Sequence, residues 1–127
     1  PTVGVGVDVI HQNLKDIDAI QLMTYDGDVH LDPVRAFDLT VNSLRAQFGN
    51  AFADELVTKL IVGIELGDQF GDCKGKIEGW CDFSLDDVQV VATDAVAKGY
   101  HGVFYWPNIP HQQATQYYQT SRTILKQ

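Results

Sequence analysis

The distribution of apolar residues divides the chain into short buried runs and amphipathic stretches. Four runs are rich in β-branched or aromatic residues and are bounded by turn-forming residues, which predicts β-strands. These runs are Val3–Ile10, Asp18–Tyr25, Lys59–Leu66 and Gly102–Trp106. Because they are nearly continuous apolar segments, we expect a parallel sheet whose faces are covered.

Between these runs, apolar residues recur at helical spacing. A helix is predicted to begin at Pro33, with Asp32 as its cap, and to end at Gly49. Its apolar face consists of Val34, Phe37, Val41, Leu44 and Phe48. Further helices are predicted around Phe52 to Val57, from Ser84 to Gly99 and from about His111 to Leu125. The apolar positions of the helix that ends at Gly99 are Leu85, Val88, Val91, Ala92, Ala95 and Val96.

The order of these elements predicts an α/β fold built from parallel βα units in a single domain that covers residues 1–127. Four such units are half of a TIM (β/α)₈ barrel by strand count and by length. A half-barrel has open sheet edges, so we expect self-association or pairing with an N-terminal half-barrel. One connection is short for a parallel crossover, because only His11 to Asp18 separates the first two runs.

Composition and charge exclude some partners. A formal net charge of −8 repels phosphate backbones and anionic lipid surfaces, so neither nucleic acid nor a membrane is expected as a partner. Histidine and cysteine spacings do not match a metal site, and no cofactor is expected. Cys73 and Cys81 are interpreted either as a disulfide that closes a surface loop or as two unrelated thiols. A disulfide would favour a secreted or vacuolar protein.

Three segments, in order, resemble the last strands of the family 18 glycoside hydrolases, the chitinase and chitinase-like barrels. Residues 18–26 end in a Met-x-Tyr-Asp motif formed by Met23, Tyr25 and Asp26, which resembles the end of the sixth strand of that family. Residues 59–64, with a central glycine, are similar to the seventh strand, and residues 99–106, which end in Trp106, are similar to the eighth. The four predicted strands would then correspond to strands 5–8.

The resemblance implies a carbohydrate site for N-acetylglucosamine oligomers, such as those of chitin. In family 18 enzymes the acetamide of the substrate attacks the anomeric carbon. Tyr25 and Asp26 would be the catalytic groups that orient the acetamide, and Trp106 would lie under the sugar ring. Met23, Glu65 and Trp80 are further candidates for substrate contact.

The same resemblance limits the catalytic prediction. The family's general acid belongs to a D-x-x-D-x-D-x-E motif on the fourth strand, and this chain has no such motif. The sequence also departs from the family after the seventh strand, where Glu65-Leu66-Gly67-Asp68 replaces the usual continuation. We therefore expect a glycan-binding part of a chitinase-like barrel that is inactive as a hydrolase alone. Whether a completed barrel would be an enzyme stays open.

Each of these candidate site residues also has a simpler structural interpretation. Tyr25 and Asp26 could open an Asp-Gly turn, Trp106 could pack under the final helix, and Trp80 could cover the barrel mouth without a ligand. Glu65 could be an exposed residue where the loop begins. Two other functions also remain: a non-catalytic chitinase-like lectin or storage protein, and a different (β/α) hydrolase that uses Asp26 and Glu65 as its acid/base pair.

Overall fold

The computed structural model describes residues 6–23, 33–66, 85–107 and 111–126. Within them the chain forms five α-helices, one 3₁₀ turn and three β-strands. In chain order these are α1 (Gly6–Asn13), the turn Leu14–Asp16, β1 (Ile20–Leu22), α2 (Pro33–Phe48), α3 (Asn50–Val57), β2 (Leu60–Leu66), α4 (Leu85–Lys98), β3 (Gly102–Pro107) and α5 (His111–Leu125).

The three strands form one parallel sheet in the order β1-β2-β3. Ile20 is in register with Leu60, and Ile61 is in register with Gly102. Each strand lies beside its neighbour in sequence, and helical segments separate one strand from the next. The prediction of an α/β fold with a parallel sheet is therefore confirmed at this level.

The helices cover one face of the sheet. Leu60, Val62 and Ile64 of β2 belong to a buried core that also contains residues of α2, α3 and α4. Alternate residues of a strand point to opposite faces, so this core defines the helix-covered face. α4 packs against α2, α5 and β3, which makes it the central element of the helical layer.

The prediction of a strand at Val3–Ile10 is wrong for its described part, because Gly6–Asn13 is helical. The glycine and β-branched residues there suggest a strand locally, but Val7, Ile10 and Leu14 also share one face of a helix. That face packs against the core, with Leu14 buried in the 3₁₀ turn. Tertiary packing therefore outweighs the local strand preference, and the short connection from His11 to Asp18 needs no parallel crossover.

α1 is held to the other helices by an aromatic cluster. The His11 ring stacks on Phe48 with centroids 4.1 Å apart and meets Phe52 edge-on at 5.0 Å. The Lys59 ammonium donates a hydrogen bond to the Leu14 carbonyl oxygen, and the Ile20 amide donates to the Lys59 carbonyl at 2.8 Å. These contacts fix the turn that leads from α1 into β1.

The other element predictions are largely confirmed. α2 begins at Pro33 and buries Phe37, Val41 and Leu44, as its spacing predicts. Gly49 and Gly99 follow α2 and α4 with φ of 92° and 73°, a backbone region in which glycine avoids the steric cost of a side chain. One detail is wrong: Leu85 and Val96 of α4 are exposed and lie off its buried face.

Candidate functional site

The carboxyl end of β3 presents an aromatic side chain on the sheet face opposite the described helices. Val103 and Tyr105 pack against the helix-covered core, so their neighbours Phe104 and Trp106 point to the other face. Trp106 is 46% exposed. The interpretation that Trp106 packs under the final helix is therefore wrong, because α5 lies on the opposite side of the sheet.

The end of β1 contributes to the same face. Ile20 and Leu22 pack against the helix-side core, and Gln21 points away from it. Met23 follows directly after β1 and is 69% exposed. β2 lies between β1 and β3, so these two strands are about 10 Å apart across the sheet. Met23 and Trp106 thus lie at the carboxyl ends of the two outer strands of this sheet.

Glu65 lies beside Trp106 by backbone register. Its Cα pairs with that of Trp106 in the β2–β3 ladder, which brings it to the same end of the sheet. The side chain of Glu65 lies outside the described part of the chain. The predicted catalytic residues Tyr25 and Asp26, the predicted substrate contact Trp80, and the cysteines Cys73 and Cys81 are also outside the described residues.

A concave region lies at the opposite end of the strands, within the helical layer. Thr58 and Tyr100, which line it, come just before β2 and β3, so this cleft is at the amino-terminal end of the sheet. It has a volume of about 370 Å³. Its walls are formed by Asp38, Val41, Asn42, Arg45, Asp54, Val57, Thr58, Lys98, Gly99 and Tyr100.

Two ion-pair clusters occupy the rim of this cleft. At one end, the Lys98 ammonium contacts the Asp38 carboxylate of α2 and the Asp94 carboxylate of α4, the latter at 2.8 Å. At the other end, the Arg45 guanidinium lies 2.8 Å from the Asp54 carboxylate and donates to the Asn50 amide oxygen at 3.1 Å. Burial opposes protonation of Lys98, but its hydrogen bonds to Asp38 and Asp94 outweigh this and raise its pKa.

Tyr100 forms part of the inner wall of the cleft. Its side chain is only 8% exposed, and its ring meets Phe37 edge-on with centroids 6.4 Å apart. Burial raises the pKa of Tyr100 to about 12. The phenol is therefore protonated at neutral pH and can donate a hydrogen bond.

No pattern in the sequence indicates this cleft. Asp38, Asn42 and Arg45 recur at spacings of four and three residues, which places them on one stripe of α2. Asp94 and Lys98 have the four-residue spacing of a helical ion pair. These spacings indicate local pairs on single helices. Neither the spacing within α2 nor the spacing within α4 predicts the ion pair between Lys98 of α4 and Asp38 of α2.

Among the described residues, no group of three His, Cys, Asp or Glu side chains is arranged to hold a metal ion. None of the helices in the described ranges is long and apolar enough to cross a bilayer.

Comparison with known proteins finds no relative for this chain. No protein-family model, no curated protein and no solved structure matches it. The functional proposal therefore rests on the sequence resemblance and on the geometry described above.

Proposed function

We propose that the chain is a glycan-binding part of a chitinase-like (β/α) barrel and recognises N-acetylglucosamine-containing carbohydrate through the face that carries Trp106. The observation that carries this proposal is the half-exposed indole at the carboxyl end of a parallel strand. Active sites of (β/α)₈ barrels lie at this end of the strands. A large, rigid aromatic ring supplies apolar contact area together with an N–H donor.

The strand arrangement supports the barrel part of the proposal. The strands follow one another in chain order within a parallel sheet, and helices separate them, as in the wall of a (β/α)₈ barrel. β1, β2 and β3 correspond in this proposal to strands six, seven and eight. The residues expected to form strand five are helical from Gly6 onward, so the proposed wall has three strands.

The sheet also supports pairing with another chain or segment. Within the described residues, β1 and β3 each pair only with β2, and parallel sheets normally have both faces covered. We infer that the protein self-associates or pairs with an N-terminal half-barrel. A monodisperse monomer in sedimentation velocity, at concentrations used for binding, would contradict this inference.

Hydrolysis is not part of the proposal. The resemblance assigns orientation of the acetamide to Tyr25 and Asp26, and it assigns proton donation to a motif that the chain lacks. Binding without turnover also agrees with a lectin-like role, so the site is proposed as a binding site only.

The test is binding of an N-acetylglucosamine trimer to the wild-type chain and to the variant Trp106→Ala. Tryptophan fluorescence and isothermal titration calorimetry measure the binding. We expect Trp106→Ala to weaken binding by roughly ten-fold or more, since aromatic anchors contribute a large share of contact energy. Val90→Ala is the matched control, because Val90 is an exposed apolar residue on helix α4. Absence of binding to the wild-type chain, or equal binding by Trp106→Ala, would contradict the proposal.

A further inference from the structure

β3 and α5 lie together at one lateral edge of the described structure. β3 is an outer strand of the described sheet, and α5 packs against β3 and α4. The Tyr118 ring of α5 meets the Tyr105 ring of β3 with centroids 4.9 Å apart. The helix therefore lies directly over this outer strand.

The strand at this edge lacks the features that keep sheet edges from pairing with other chains. Gly102–Trp106 consists of glycine, valine and aromatic residues, and a proline comes only at the last position of β3. Its register with β2 runs without a bulge. Edge strands are usually protected by short length, charged residues, bulges or proline. β1 fits that description, because it has three residues and follows Asp16 and Asp18. β3 is therefore the edge better suited to accept a further strand.

The hydrogen bonds at the start of β3 show which of its amides point away from β2. The His101 amide donates to the Leu60 carbonyl oxygen at 2.8 Å and so points toward β2. Successive amides of a strand point to its two edges in turn. The amides of Gly102 and Trp106 therefore point to the outer edge, where they would donate to an added strand.

α5 carries an exposed stripe next to this strand. Tyr118, Arg122 and Leu125 recur at spacings of four and three residues, which places them on one side of the helix. All three are exposed, whereas Tyr117 packs against the core and Ser121 is buried. Tyrosine and arginine are enriched among the residues that dominate protein–protein binding. A partner with a strand for β3 and a helix for this stripe would match both parts of the edge.

The distribution of charge indicates which partner fits. The chain has a net charge of −8, yet all 17 of its acidic residues lie at or before Asp94. Residues 95–127, which include β3 and α5, contain Lys98, Arg122 and Lys126 and no acidic residue. Two copies of the chain repel each other when their acidic parts approach. The edge formed by β3 and α5 adds no carboxylate side chain to such a contact, so a second copy meets the least repulsion there.

We propose that two copies of this chain associate through this edge. β3 pairs antiparallel with β3 of the second copy, and α5 packs beside the second α5. A two-fold axis makes the edge complementary to itself, because each copy supplies the same strand and the same helix. Antiparallel α5 helices also allow Arg122 of one copy to lie over the Tyr118 ring of the other, which is a favourable cation–π contact. The proposal rests on the self-association proposed above and names its partner and surface. It does not depend on glycan binding.

The test is sedimentation velocity of the full chain over a range of concentrations, together with amide hydrogen exchange. We expect a monomer–dimer equilibrium with a dissociation constant of roughly 10 μM. The amides of Gly102 and Trp106 should exchange about five-fold more slowly when the dimer predominates, since they then donate to the added strand. The Gln21 amide points to the outer edge of β1, because the Ile20 amide donates to the Lys59 carbonyl oxygen, and it is the matched control. Slower exchange at Gln21 instead, or a monomer at every concentration, would overturn the proposal.

Exposed substitutions separate this edge from general effects of charge and hydrophobicity. Arg122→Glu should weaken the dimer about ten-fold by bringing carboxylates to the two-fold contact. Lys15→Glu makes the same charge change at an exposed position outside the edge and should have little effect.

Leu125→Ala should weaken the dimer about five-fold, whereas Val90→Ala, at an exposed apolar position on α4, should not. Circular dichroism checks that each variant is folded. Dimers unaffected by both Arg122→Glu and Leu125→Ala would refute this edge as the interface. Binding of the N-acetylglucosamine trimer, measured on the same variants, reports on the glycan proposal separately.

Discussion

Tyr105 and Trp106 are adjacent aromatic residues on one strand, yet they have different surroundings. Tyr105 points into the helical layer, where it packs against the core and meets Tyr118 edge-on at 4.9 Å. Trp106 points to the other face and is almost half exposed. The alternation of a β-strand therefore gives one residue a role in stability and leaves the next available for binding. We therefore expect that each face of the sheet can be altered with little effect on the other.

The largest expected effect on the free energy of unfolding comes from removing a core side chain. It tests whether stability depends mainly on the helix-covered face of the sheet. Phe37 is fully buried at the centre of the helix-covered side, so Phe37→Ala should lower the free energy of unfolding by about 3–5 kcal/mol. Trp106→Ala should lower it by less than about 2 kcal/mol, since much of that side chain is exposed in the folded protein. Urea denaturation followed by circular dichroism measures both values. Equal losses in the two variants would show that Trp106 belongs to the stabilising core.

A smaller effect is expected from high pH, through two tyrosines that pack on the helix-covered side. Burial raises the pKa of Tyr100 and of Tyr105 to about 12, from 10.0 for an exposed tyrosine. Between these values the unfolded chain loses phenol protons that the folded protein retains, so the free energy of unfolding falls as the pH rises from 10 to about 12. Below pH 10 both states are protonated and these two groups have little effect.

The double variant Tyr100→Phe/Tyr105→Phe provides the control for this prediction. Its stability should decline less steeply over the same pH interval, although the raised pKa of Lys98 will still contribute a decline of the same sign. Urea denaturation at several pH values, together with ultraviolet absorbance of tyrosinate, measures the effect. Ionisation of every tyrosine near pH 10 in the folded protein would contradict the assignment of both side chains to the buried face.

The elements that the sequence predicted correctly are those in which local and tertiary preferences agree. α2 has a proline at its first position, a regular apolar stripe that includes Phe37, and a terminating glycine at Gly49. β2 and β3 are apolar runs bounded by residues that favour turns, and the structure places strands there. By contrast, residues 6–13 are compatible with a strand or with a helix, and only the contacts of Val7 and Ile10 with the core decide between them.

The Trp106 face and the cleft also differ in how far the sequence could predict them. Trp106 and Met23 could be named from the sequence because a motif resemblance and their position at strand ends both indicated them, and the structure places both at the carboxyl ends of the outer strands of the described sheet. The cleft could not be predicted, because its walls come from three helices and the segments that follow two of them. Lys98 and Asp38 are sixty residues apart in sequence, and no local spacing relates them.

The sequence by itself determined the α/β composition of the chain, the bounds of its longer helices and most of the residues that α2 and α4 bury. Hydrophobic periodicity is a local property, so it is visible without the fold. Only the tertiary structure decided that Gly6–Asn13 is helical, that Trp106 faces away from the helices, and that Tyr100 lies beside Lys98 and Asp38 in one cleft. These features depend on packing between distant segments, and the free energy of that packing is not encoded in any single stretch of the chain.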